Sequence, residues 1–106
     1  MDSKRLINLI EIKDKSVWVL IDYYIAKGAN RVCVQKYVND VCIDIAKSFI
    51  EQHQEAFNNR QTQLDVFRYI SSIGADEPYS GNRFSEALYK ELCTFVQNQE
   101  QLTITK

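Results

Sequence analysis

The chain has 106 residues, 45% apolar and 25% charged, with 13 basic and 14 acidic side chains for a net charge of −1. That length and balance exclude a disordered segment and predict one helical domain over residues 1–106 with a core of its own. The cations are dispersed, and only Lys4 and Arg5 are adjacent. The clustered basic footprint of a nucleic-acid binder is therefore missing from the linear sequence.

The first segment starts near Ser3, a suitable N-cap, and runs to about Lys13. The stretch "DKSVWVLIDYYIAKG" follows, capped by Asp14 or Ser16 and closed by Gly28. The two could be one helix, with Leu6, Leu9, Ile10, Val17, Leu20, Ile21 and Tyr24 on one face. Lys13 intrudes on that face and Asp14 stands beside it, so the pattern favours a break there. Val17 to Ile21 is also rich in strand formers, which leaves a short strand as an alternative. The near-apolar run "SVWVLIDYYIA" is too short to span a bilayer and carries Asp22.

The third segment has the strongest periodicity. Asn30 is its N-cap, and the pattern runs from Arg31 to about Phe57. At about 100° per residue, Val34, Tyr37, Val38, Val41, Cys42, Ile45 and Phe49 make one apolar stripe. Val32, Ile43, Ile50 and Phe57 make a second on its far flank. Together they cover an arc of roughly 240°, against the ~100° that a surface helix needs. A helix this greasy sits centrally or offers a partner surface, and Ile43, Ile50 and Phe57 are the expected surface.

Thr62 is the expected N-cap of a fourth helix, with Asp65 as capping partner and Leu64, Phe67, Ile70 and Ile73 as the buried face; Gly74 ends it. The connector "GADEPYSGNRF" holds the single proline, Pro78, which a helix interior does not accept. Its residues serve as punctuation: Gly74 closes one helix, and Gly81 with Asn82 opens the next. Asp76, Glu77 and Tyr79 would form a secondary contact edge. The last helix is expected from Arg83 to about Gln101, burying Phe84, Leu88, Leu92, Phe95 and Val96. The tail "LTITK" alternates like a strand, but at a terminus it is expected to fray.

Signals for chemistry are weak. The single histidine, His53, lies between the two stripes of the third segment, where it reads as a core-edge residue. Cys33 and Cys42 fall on nearly opposite sides of one helix, and no CxxC spacing occurs. Three cysteines point to a reducing, cytoplasmic or similar compartment rather than a disulfide scaffold. Asp40 and Asp44 share a face at i,i+4 but lack the Glu-x-x-His partner of a di-metal bundle. No phosphate cradle, nucleophile elbow or zinc signature appears.

The expectation is an all-α, four- or five-helix bundle around a long central third helix. It is not an enzyme and has no cofactor, metal or membrane association. Its partner is another protein or a second copy of itself, in an adaptor, inhibitor or immunity-type role. The alternative is a helix-turn-helix-like nucleic-acid regulator using "YYIAKGANRVCVQKYV" with Arg31 and Lys36. Asp40 and Asp44 argue against it, because carboxylates on that face would repel phosphates.

Overall fold

The computed structural model describes residues 2–77 and 81–104, with side chains through residue 100. Five helices follow in order: α1 (Ser3–Ala26), α2 (Arg31–Gln52), α3 (Gln54–Phe57), α4 (Arg60–Ser72) and α5 (Arg83–Ile104). No strand occurs among the described residues. The fold is all-α, and Val17 to Ile21 are helical.

Local signals explain most of the boundaries. The side chain of Asp2, not Ser3, caps α1 by accepting from the Arg5 amide at 2.8 Å. Asn30 caps α2, accepting from the amides of Val32 and Cys33. Asn59 rather than Thr62 caps α4; Thr62 donates its amide to the Asn59 side chain and is itself buried in the first turn. α1 and α4 end in the same way. The amides of Gly28 and Ala29 bond back to Ile25 and Tyr24, and those of Gly74 and Ala75 to Ser71 and Ile70. This paired pattern needs a left-handed residue just past the helix, and the two glycines supply it at φ +89° and +73°. A Cβ at Gly74 would meet no atom within 4 Å. Gly74→Ala is therefore expected to cost only the left-handed backbone penalty, about 1 kcal/mol, measured as a shift in the denaturant midpoint. A loss several times larger would mean that the turn is held by more than its dihedrals.

Further expectations are corrected. First, α1 is one uninterrupted helix. Asp14 is buried in its middle, where its carboxylate accepts from the backbone amide of Ser85 at 3.0 Å and from the Ser85 hydroxyl. Lys13 lies with its Nζ 5.9 Å from the ring centroids of both Phe49 and Phe84. Both charges thus find partners on other helices, so the helix has no reason to break. Second, the third segment does break, at His53 (φ −116°, ψ 29°), which caps α2 and separates it from α3. Third, α4 buries Val66 and Ile70, whereas Leu64 and Ile73 are exposed. α5 continues as helix to Ile104 where a fraying or strand-like tail was expected; residues 105–106 lie outside the described ones.

A contiguous core unites the helices. Phe49 is its hub, with ring centroids 5.9 Å from Phe57, 5.5 Å from Phe84 and 4.7 Å from His53, all edge-on. Of the residues expected on the buried face of α5, Phe84, Leu88 and Leu92 are fully enclosed, and Phe95 and Val96 are partly so. At the far end, buried Gln63 donates to the Phe57 carbonyl and to Gln99, tying the α3–α4 corner to α5.

Candidate interaction surface

α5 starts level with the middle of α1 and α2: Ser85 meets Asp14, and Arg83 reaches Asn39 at 3.5 Å. The second half of α1 and the first half of α2 therefore run on as a two-helix arm beyond the start of α5. The radius of gyration is 14.8 Å, against about 13 Å for a compact chain of this length, and the longest dimension is 53 Å.

Two helices side by side bury one seam and leave the rest open. In the arm that seam is Val17, Ile21, Val34 and Val38, all buried. Around it stand large apolar side chains in water: Val19 is 69% exposed, Tyr23 56% and Tyr37 55%, with Trp18 and Val32 also exposed. Three tyrosines join across the seam. The Tyr23 and Tyr24 rings meet edge-on at 5.5 Å, and Tyr24 meets Tyr37 at 6.3 Å. The Lys27 ammonium lies 5.6 Å from the Tyr23 ring centroid. Tyr24, Cys33, Val34 and Tyr37 line a shallow, mostly apolar hollow of about 270 Å³. That lies below the range of most small-molecule sites. The same face of α2 turns polar further along. Cys33, Tyr37, Asp40 and Asp44 follow at i, i+4, i+7 and i+11, a single helical stripe.

The residues expected to bind a partner are not assembled into one surface. Ile43 is 39% exposed, but Ile50 is 6% and Phe57 0% exposed. Ile50 faces α5, in a groove lined also by Glu91, Thr94 and Phe95. Phe57, re-aimed by the break at His53, meets Phe49 edge-on. The second stripe thus belongs largely to the core, and Ile50 and Phe57 offer no exposed side chain to a partner. Asp76 and Glu77 are exposed on the α4–α5 connector. Tyr79 lies outside the described residues.

Tyr37 was expected on the core stripe; it stands at the edge of that stripe, beyond the reach of α5. Tyr23 and Tyr24 are adjacent and so point about 100° apart on α1, which leaves Tyr23 well off the buried Val17–Ile21 side. Cys42 is buried, and its thiol is pushed up to about 11 by that burial, with the Asp14 charge adding to the effect. Cys33 is exposed, and all three cysteines are free. Among the described residues no group of three or more His, Cys, Asp or Glu stands close enough to hold a metal, and no helix is long and apolar enough to cross a membrane.

Comparison of the chain with protein-family models, with curated proteins and with solved structures finds no match.

Proposed function

We propose that this chain is a small protein-protein interaction module, of adaptor, inhibitor or immunity type, that docks through the tyrosine face of its α1–α2 arm. The observation that carries the proposal is the joined, solvent-facing set Tyr23, Tyr24 and Tyr37 on two helices that α5 does not cover. Tyrosine supplies rigid contact area with a polar end at small entropic cost, which is why it concentrates in binding hot spots. In this reading α2 is the central helix of the bundle, joining the core to the arm, and Asp76 and Glu77 form a secondary edge. The role is binding without catalysis or cofactor, and three unpaired thiols suit a reducing, cytoplasmic setting. Nucleic acid is the weaker reading, because Asp40 and Asp44 share the stripe of Tyr37 and would meet phosphates with like charge.

Capture from a lysate of the native host, with partners identified by mass spectrometry, tests the proposal. A chain carrying both Tyr23→Ala and Tyr37→Ala should keep wild-type helicity and lose a partner that the wild type retains. Hot-spot truncations of this kind cost about 2 kcal/mol or more each. The same proteins on both baits would place the docking surface elsewhere.

A further inference from the structure

We draw no further inference here: the strongest candidate, the exposed apolar stripe of Ile12, Val19 and Tyr23 along the side of α1 that faces away from the core, carries nothing because nothing in the structure shows what covers it.

Discussion

Phe49→Ala is expected to lower stability by about 3–5 kcal/mol, the usual loss when a buried phenylalanine is truncated. Phe49 is 1% exposed, and its ring meets Phe57 from α3, Phe84 from α5 and His53 at the α2–α3 break. Lys13 from α1 lies against the same ring. Removing it leaves a cavity where four helices converge, and each neighbour is tethered to its own helix, so local collapse is limited. Domains of this size are stable by about 5–15 kcal/mol in total, so the variant should be close to unfolding at physiological temperature. Phe95→Ala is the comparison: that ring is only partly buried at the edge of the core, so its loss should be clearly smaller. Urea denaturation of both variants measures the difference. Equal losses would mean that the core has no aromatic hub.

The second large effect concerns Asp14. Its carboxylate accepts from the amide and hydroxyl of Ser85, so a residue in the middle of α1 caps the start of α5. Asp14→Ala would leave the buried Ser85 groups without an acceptor, at a cost of about 1–3 kcal/mol. Asp14→Asn keeps one acceptor oxygen and should lose less. The pH dependence separates charge from hydrogen bonding. Burial is the largest influence on this carboxyl and raises it above 3.8, against the lowering by the Ser85 hydroxyl, the Ser85 amide and the Phe84 amide. The folded chain therefore holds the proton more tightly than the unfolded chain. The resulting stability is fully present below 3.8 and drains away as pH rises through the higher folded value. Relative to Asp14→Asn, the wild type should gain stability as pH falls from neutral towards about 4. If it loses stability on that path, the hydrogen bonds outweigh burial and the carboxyl titrates below its ordinary value.

The tyrosine arm and the Asp14 cap share a cause. α5 begins midway along α1 and α2, and its N-terminus needs an acceptor at that point. Asp14 provides it, and beyond that level α5 covers neither α1 nor α2. The same level therefore fixes where the core ends and where the exposed aromatics begin.

Much of this was determined by the sequence alone. Helical class follows from the 3.6-residue apolar period, the Asn30 cap follows from a short polar side chain ahead of that period, and the ends at Gly28 and Gly74 follow from residues that accept positive φ without penalty. The buried face of α5 was readable because that helix packs along one side only, so Phe84, Leu88 and Leu92 repeat at i, i+4 and i+8. The tertiary structure decided what depends on contacts between distant segments. Asp14 and Lys13 look like a helix break until α5 brings Ser85 and Phe84 to them, 71 residues away in the case of Ser85. Ile50 and Phe57 look like a spare apolar stripe until α5 covers one and the turn at His53 carries the other inward. Tyr37 looks like core until α5 proves to start too late to cover it. Periodicity reports which side of a helix is apolar, because the period is a property of one segment. Whether that side meets protein or water depends on where a remote helix begins, and no local pattern encodes that position.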